Sequence, residues 1–104
     1  MLVEIKNKQQ FDDLISSGKT ILADFYADWC GPCKILSPII KEVANEISDD
    51  VVVCKINSDS NLDLAREYMI QSIPMLIVFK NKNIYKTSLG VISKKEILEM
   101  LADD

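Results

Sequence analysis

The residues with the clearest chemical potential are two cysteines in the segment Trp29-Cys30-Gly31-Pro32-Cys33-Lys34. This segment stands between a predicted strand and a predicted helix, so Cys30 faces backbone N–H groups without intrahelical partners and the positive end of the helix dipole. Both interactions favour a thiolate, whereas an ordinary cysteine, with a pKa of about 8.5, is mostly protonated at pH 7. Cys33 is near enough to close a small disulfide ring with Cys30 and is expected to lie deeper. The pair predicts dithiol–disulfide exchange, in which Cys30 attacks a substrate disulfide and Cys33 resolves the mixed disulfide.

The residues that other common kinds of catalytic or metal-binding site require are absent from the sequence. The chain has no histidine, which excludes Ser-His and Cys-His catalysis and every His-ligated metal site. Its three cysteines are too few for a four-cysteine zinc or iron–sulfur site within one chain. The third, Cys54, lies in a β-rich run and is predicted to be an inert buried thiol. No glycine-rich phosphate loop is present, so we expect neither a metal nor a cofactor. A metal site shared between two chains stays open as an alternative.

Length and charge predict the broad class. With 104 residues, 48% hydrophobic and 27% charged, the chain can bury one core, so we expect a single domain over residues 1–104. The net charge of −4 and the single arginine, Arg66, argue against a nucleic-acid partner. The longest apolar run, 73–79, is shorter than the ~20 residues of a membrane-spanning helix, and the first residues do not resemble a secretory signal. We therefore expect a cytoplasmic monomer without a membrane partner.

The elements that must position the cysteines follow from hydrophobic spacing, caps and turns. Strands are predicted at residues 2–5, 20–27, 51–57, 73–80 and 84–89. Helices are predicted after Asn7, after the cysteine motif with a kink at Pro38, over residues 62–68, and after the capping box that begins at Ser93. The helix at 62–68 is expected to turn Leu62, Ala65 and Tyr68 inward. The order β-α-β-α-β-α-β-β-α predicts an α/β sandwich, with helices on both faces of a mixed sheet.

The segment of residues 23–34, ADFYADWCGPCK, resembles the active-site segment of the thioredoxin family. The similarity continues through Lys55, Ile73-Pro74, Phe79-Lys80-Asn81 and Gly90. It implies the thioredoxin fold, a three-layer α/β/α sandwich in which four helices flank a five-stranded mixed sheet. It also implies general protein-disulfide reduction and cell redox homeostasis, with oxidised proteins as substrates and a flavin-containing thioredoxin reductase as the electron donor.

Asp24 and Lys55 receive roles from the same resemblance. An unpaired carboxylate in a strand covered on both faces should have a raised pKa, because burial disfavours its charge. The resemblance places Asp24 beneath the cysteines, where it takes the proton from Cys33 through water, and makes Lys55 its partner. Two alternatives stay open, namely that Asp24 turns outward at a strand end and that Lys55 is a solvated surface lysine.

The resemblance also implies a cis bond before Pro74, which faces the cysteines and leaves the backbone of Ile73 free to pair with an extended substrate. Alternatively, Pro74 merely begins a strand. A mostly apolar docking surface is expected from Trp29, Gly31, Pro32, Ile73, Pro74, Gly90 and Val91. Because no cation stands between the cysteines, we expect a reducing rather than an oxidising protein.

Several positions depart from the commonest family pattern. Tyr26 replaces a frequent tryptophan, Met75 replaces a threonine, and Ser58 stands where an apolar residue is common. Glycine is also usual at the positions of Met69, Ser72 and Lys82. At the hairpin around Lys82, asparagine is expected to supply the positive φ instead. A different class of function, a clamp or subunit that binds a partner protein without catalysis, is left open by the sequence.

Overall fold

Five strands and four helices alternate along residues 1–102, the part of the chain that this computed structural model describes. They are β1 (Leu2–Glu4), α1 (Lys8–Ser16), β2 (Thr20–Tyr26), α2 (Gly31–Glu46), β3 (Val51–Asn57), α3 (Leu62–Glu67), β4 (Met75–Lys80), β5 (Asn83–Leu89) and α4 (Lys94–Leu101). The predicted order of elements is confirmed. The last two positions of the predicted domain, 103 and 104, lie outside the described residues.

The five strands form one mixed sheet in the order β1-β3-β2-β4-β5. The central strand β2 pairs parallel with β3 and antiparallel with β4, while β1 is parallel to β3 and β5 antiparallel to β4. All residues of β2 except its two terminal ones are buried. A strand buried along its whole length requires cover on both faces, as its apolar run predicted.

Alternation along β2 divides the core between the two faces of the sheet. Phe25 belongs to the cluster that contains Phe11 of α1 and Leu64 of α3. Leu22 belongs to the opposite cluster, together with Leu36 of α2 and residues of α4. Because side chains on a strand alternate with a period of two, Asp24 shares the face of Leu22 and points toward α2. The predicted three-layer sandwich with four helices is confirmed.

The inward face of α3 differs from the prediction. Leu62 is 54% exposed, whereas Leu64 is fully buried and Ala65 and Tyr68 are partly buried. At 100° per residue, Leu64 and Tyr68 lie one turn apart on the same face, and Leu62 points away from it. The edge-to-face contacts of Tyr68 with Phe11 and Phe79 fix that face against the core. The prediction for Leu62 was therefore wrong.

Caps and turns explain the ends of the other elements. Asn7 Oδ1 accepts a hydrogen bond from the Gln10 N–H at 2.9 Å, and Ser93 and Glu96 form the predicted capping box.

The hairpin between β4 and β5 is tighter than predicted: Lys80 pairs with Asn83, and φ is +52° at Asn81 and +72° at Lys82. Two positive φ values match the right-handed twist of the flanking strands. Lys82 itself thus adopts the left-handed conformation that was expected only of asparagine. The strand predicted from residue 73 begins at Met75, where pairing with β2 begins.

Met69 ends α3 in a conformation that usually requires glycine. Its φ is +52°, its N–H bonds to the Arg66 carbonyl, and the next N–H, of Ile70, bonds to the Ala65 carbonyl at 2.8 Å. This is a Schellman motif, whose left-handed position is costly for a residue with a Cβ atom. Gly18 serves the same purpose after α1, with φ of +76°.

We predict that Met69→Gly raises the free energy of unfolding by about 1 kcal/mol, because it removes the steric cost of a left-handed residue. Gly18→Ala should lower it by a similar amount, since a Cβ at Gly18 meets no atom within 4 Å and only the backbone conformation is penalised. Urea denaturation of both oxidised variants measures the two effects. Equal signs for the two substitutions would contradict the backbone explanation.

Candidate active site

Cys30 is the N-cap residue of α2. Its backbone is extended, with φ of −87° and ψ of 112°, and its Sγ accepts a hydrogen bond from the Cys33 N–H at 3.2 Å. Pro32 lies in the first turn, where the missing N–H costs no helical hydrogen bond, and this turn contains no acidic residue. The Cys33 N–H and the positive end of the helix dipole are therefore directed at the sulfur atom of Cys30.

Cys30 and Cys33 are joined by a disulfide bond. Both residues are buried, with exposed fractions of 4% and 5%, so the expected deeper position of Cys33 is not found. Because the disulfide joins the two residues in one small ring, their exposed fractions are nearly equal, although their positions in the helix predicted a difference. The two sulfurs differ instead in their neighbours. Cys30 Sγ lies 3.8 Å from the Ile73 carbonyl oxygen, and Cys33 lines a pocket on the other side.

The segment before β4 covers Cys30. The Ile73–Pro74 peptide bond is cis, as expected, and Pro74 is buried while Ile73 is half-buried. The Gly90 N–H donates to the Pro74 carbonyl at 2.8 Å, which brings the end of β5 to this segment. Val91, the next residue, is 41% exposed. The structure therefore brings the predicted docking residues around Ile73 together beside Cys30.

Trp29 stands at the rim of the site with 71% of its surface exposed. Its indole N–H donates to Asp59 Oδ2 at 2.9 Å, and Asp59 lies in the loop that follows β3. Ile35, in α2, is 62% exposed. Trp29 and Ile35, each within two residues of a cysteine of the disulfide, and Val91 thus provide exposed apolar side chains that are available for contact with another protein.

Asp24 is buried beneath α2 with an exposed fraction of 1%. Its Oδ1 has no hydrogen-bond partner among residues 1–102. Burial raises the pKa of Asp24 from 3.8 to about 7, the charge of Lys55 opposes this rise, and Glu4 adds to it. The outward orientation left open by the sequence is thus excluded, and the carboxyl can exchange a proton at neutral pH.

Lys55 is aligned with Asp24 in the parallel register of β2 and β3, which places both side chains on the α2 face. The Lys55 ammonium donates to Ser37 Oγ at 3.0 Å and lies 4.4 Å from the centre of the Tyr26 ring. It is therefore held by specific partners and is not the freely solvated lysine of the alternative interpretation. Tyr26 in turn donates its hydroxyl to Glu4 Oε2 at 2.9 Å.

A small pocket of about 160 Å³ lies between Lys55, its two partners and Cys33. It is lined by Tyr26, Ala27, Asp28, Cys33, Lys34, Ser37 and Lys55. The pocket is open to solvent on one side. It is large enough for a few water molecules, which need polar partners of the kind that Lys55 and Ser37 provide.

Sequence reasoning missed three residues of this site. Asp59 and Glu4 lie on other elements, so no local pattern connects them to Trp29 or Tyr26. Ser37 had a signal: it follows Cys33 by four residues, and such residues share one face of a helix. Cys54 is fully buried, and burial raises the pKa of its thiol, as expected of an inert group.

No cluster of three or more His, Cys, Asp or Glu side chains suited to a metal ion is found within residues 1–102. In the same part of the chain, no helix combines the length and apolarity needed to cross a membrane.

The chain matches the sequence model of the family described as Thioredoxin over residues 2–103. Thioredoxin from Buchnera aphidicola subsp. Acyrthosiphon pisum is 38% identical over 103 residues, covering 99% of this chain and 95% of that protein. A Mycobacterium leprae protein named Bifunctional thioredoxin reductase/thioredoxin is 38% identical over 101 residues, covering 97% of this chain and 22% of that protein. Among solved structures, a mutant thioredoxin from Halobacterium salinarum has a TM-score of 0.88 at 31% identity, covering 96% of this chain and 87% of that chain.

Sequence, fold and cysteine geometry agree on one assignment. The disulfide at the start of α2 can open to a dithiol and close again, which is the chemistry of protein-disulfide oxidoreductases. The chain belongs to the thioredoxin family, and Cys30 and Cys33 are its redox-active pair.

Proposed function

We propose that this protein reduces disulfides in other proteins with Cys30 as the attacking residue, Cys33 as the resolving residue and Asp24 as the proton acceptor. The observation that carries the proposal is the hydrogen bond from the Cys33 N–H to Cys30 Sγ at the start of α2. That N–H and the helix dipole stabilise negative charge on Cys30 rather than on Cys33, and so they assign the two roles.

The exchange has two steps. The Cys30 thiolate attacks one sulfur of a substrate disulfide, forming a mixed disulfide and releasing the other substrate sulfur as a thiolate. Cys33 then loses its proton and attacks Cys30 Sγ, which forms the Cys30–Cys33 bond and releases the second substrate sulfur. Two electrons pass from the dithiol to the substrate, and the two substrate thiolates take up protons.

Asp24 accepts the Cys33 proton in the second step. Its raised pKa, about 7, lets the carboxyl take up and return a proton at the pH at which the exchange operates. The pocket beside Cys33 supports transfer through water, since it adjoins Cys33 and contains polar groups of Lys55 and Ser37. The partnerless Oδ1 of Asp24 supports the same role, because no group of residues 1–102 competes for the proton there.

Substrates dock on the apolar surface around the disulfide. Ile73 lies outside the β2–β4 ladder, whose first pair joins Phe25 and Met75, so its backbone is available to an extended substrate strand. The exposed side chains of Trp29 and Val91 flank that strand, and Gly31, Pro32 and Gly90 complete the surface. Pro74 is buried and supports the surface through its carbonyl, which accepts from the Gly90 N–H.

We also propose that a thioredoxin reductase returns the protein to its dithiol form. Each reduction of a substrate leaves Cys30 and Cys33 joined, so the next one requires two electrons from an outside donor. Further support comes from the Mycobacterium leprae relative, whose name joins both activities in one chain. We place the protein in the cytoplasm as a monomer, with residues 1–104 forming one domain.

We predict that Cys30→Ser no longer accelerates the reduction of insulin by dithiothreitol, because the attacking sulfur is gone. Cys33→Ser should retain the attack but accumulate mixed disulfides, which mass spectrometry under non-reducing conditions detects. Cys54→Ala is the matched control. If Cys30 and Cys33 alone carry the exchange, the Cys54→Ala variant should reduce insulin like the wild type. Insulin reduction by Cys30→Ser at the wild-type rate would contradict the assigned roles.

We predict that Asp24→Asn stabilises the oxidised protein and slows the exchange about tenfold or more at pH 7, because the proton acceptor is lost. The stability effect depends on pH in a defined direction. The folded protein keeps the Asp24 proton up to about pH 7, while the unfolded chain loses it near the ordinary pKa of 3.8, so wild-type stability falls as pH rises between these values. Above pH 7 the advantage of the variant reaches at most about 4 kcal/mol, and below pH 4 it vanishes.

Urea denaturation at pH 4 and pH 8 tests the pH dependence, and insulin turbidity tests the rate. Asp50→Asn is the matched control, because Asp50 is exposed in the loop before β3. A variant that exchanges at the wild-type rate would remove Asp24 from the mechanism, even if the stability prediction holds.

A further inference from the structure

The Lys55 ammonium lies near several groups on the α2 face of the sheet with which it could form a hydrogen bond or an ion pair. Lys55 and Asp24 are neighbours in the register of β2 and β3, and a lysine side chain is long and flexible enough to reach such a neighbour. The structure shows a different arrangement. The ammonium donates to Ser37 Oγ at 3.0 Å and lies over the Tyr26 ring at 4.4 Å. Among residues 1–102 no group donates to Asp24 Oδ1.

Both partners of Lys55 are themselves held in place. Ser37 lies in α2 one turn after Cys33, so its hydroxyl moves with the helix that carries the cysteines. Tyr26 is the last residue of β2, and its hydroxyl donates to Glu4 Oε2 of β1 at 2.9 Å. Burial and the contact with Glu4 raise the pKa of Tyr26 to about 12, so the hydroxyl keeps its proton and the contact persists at neutral pH.

The two contacts are of kinds that attract an ammonium specifically. The Ser37 hydroxyl oxygen accepts a hydrogen bond from one of the three N–H groups of the ammonium. The face of the Tyr26 ring attracts the positive charge of the ammonium. Both partners line the pocket beside Cys33, and so does Lys55. The ammonium is thus kept on the pocket side, where it is near Asp24 but is not hydrogen-bonded to Oδ1.

We propose that Tyr26 and Ser37 are positioning residues, which hold the Lys55 ammonium over the pocket and keep it from pairing directly with Asp24. Without them the ammonium would be free to turn to the Asp24 carboxylate, its neighbour in the register of β2 and β3. A direct pair would fix the carboxylate in its charged form and oppose its protonation. The catalytic consequence rests on the proposed role of Asp24, whereas the positioning itself does not.

The charged groups that act on Asp24 belong to two elements. Lys55 lies in β3 and Glu4 in β1, while β4 contributes the apolar Leu76. Cys33, in α2, lines the pocket beside Lys55. Cys54 lies on the other face of the sheet and keeps its proton. Of these groups only Lys55 is a cation, so it is the one whose approach can lower the pKa of Asp24.

The experiment follows the Asp24 carboxyl by carbon NMR during a pH titration of the oxidised protein. In Ser37→Ala and in Tyr26→Leu, the midpoint should move lower by about one pH unit, as expected for a cation that comes within about 4–6 Å of a carboxylate. Tyr26→Phe keeps the ring but loses the bond to Glu4, so it should move the midpoint less than Tyr26→Leu does. Ser16→Ala, at the exposed end of α1, is the matched control for the loss of a serine hydroxyl.

Lys55→Met provides the decisive comparison. If Ser37 acts through Lys55, then adding Ser37→Ala to Lys55→Met should not move the Asp24 midpoint further. An equal displacement with and without Lys55, or no displacement in Ser37→Ala, would overturn the proposal. These outcomes do not depend on the reaction, so they are distinguishable from a failure of the proposed function.

The pH profile of insulin reduction gives the catalytic readout. The inflection of the pH–rate profile that arises from Asp24 should shift to lower pH in Ser37→Ala by the same amount as the NMR midpoint. That inflection should be absent in Asp24→Asn. If the NMR midpoint moves and the rate profile does not, then the positioning is correct and Asp24 is not the proton acceptor.

Discussion

The structure depends on one contact at the start of α2, in which the Cys33 N–H donates to the sulfur of Cys30. A helix N-terminus exposes several donors without intrahelical partners, and here the N-cap side chain that satisfies one of them is a cysteine rather than the usual Ser, Thr, Asp or Asn. The same contact caps the helix and stabilises a thiolate, so local folding and reactivity share one interaction. It also explains how a chain without histidine can activate a nucleophile. The sheet places Asp24 beneath α2 and brings the Ile73 carbonyl oxygen to 3.8 Å from the sulfur of that cap.

The burial of Asp24 lowers the stability of the fold, because a carboxyl group in this position lacks a full partner. A carboxylate in the most deeply buried strand of the sheet has to be neutralised or paired, and neither occurs completely. Lys55 is close enough to influence it but is bound to Ser37 and the Tyr26 ring. A fully paired Asp24 would be charged at neutral pH and a fully isolated one would stay protonated. The intermediate arrangement gives the raised pKa that proton exchange requires.

Much of the fold follows from short sequence patterns, because caps, alternation and turn residues act locally. Asn7, Gly18 and the Ser93 capping box act within a few residues of the chain, and these were predicted correctly. Leu62 was assigned to the wrong face because α3 has only six residues, too few for periodicity to fix its orientation, which the contacts of Leu64 and Tyr68 set instead. The cysteine pair and Asp24 were recognisable from residue type and position. The contacts of Trp29 with Asp59 and of Tyr26 with Glu4 were not, since each joins residues more than twenty positions apart.

The distant parts of the site meet because of strand direction. The carboxyl ends of the parallel strands β2 and β3 lie at one edge of the sheet, which places Cys30 near the loop that carries Asp59. The antiparallel strand β4 begins at that same edge, so Ile73 and Pro74 arrive beside Cys30, and β5 ends there with Gly90 bonded to Pro74. Four chain segments thus converge without any contribution from the opposite edge. The buried strands β2, β3 and β4 anchor three of these segments, and β5 anchors the fourth by pairing with β4. The site therefore lies on a framework whose buried clusters cover both faces of the sheet.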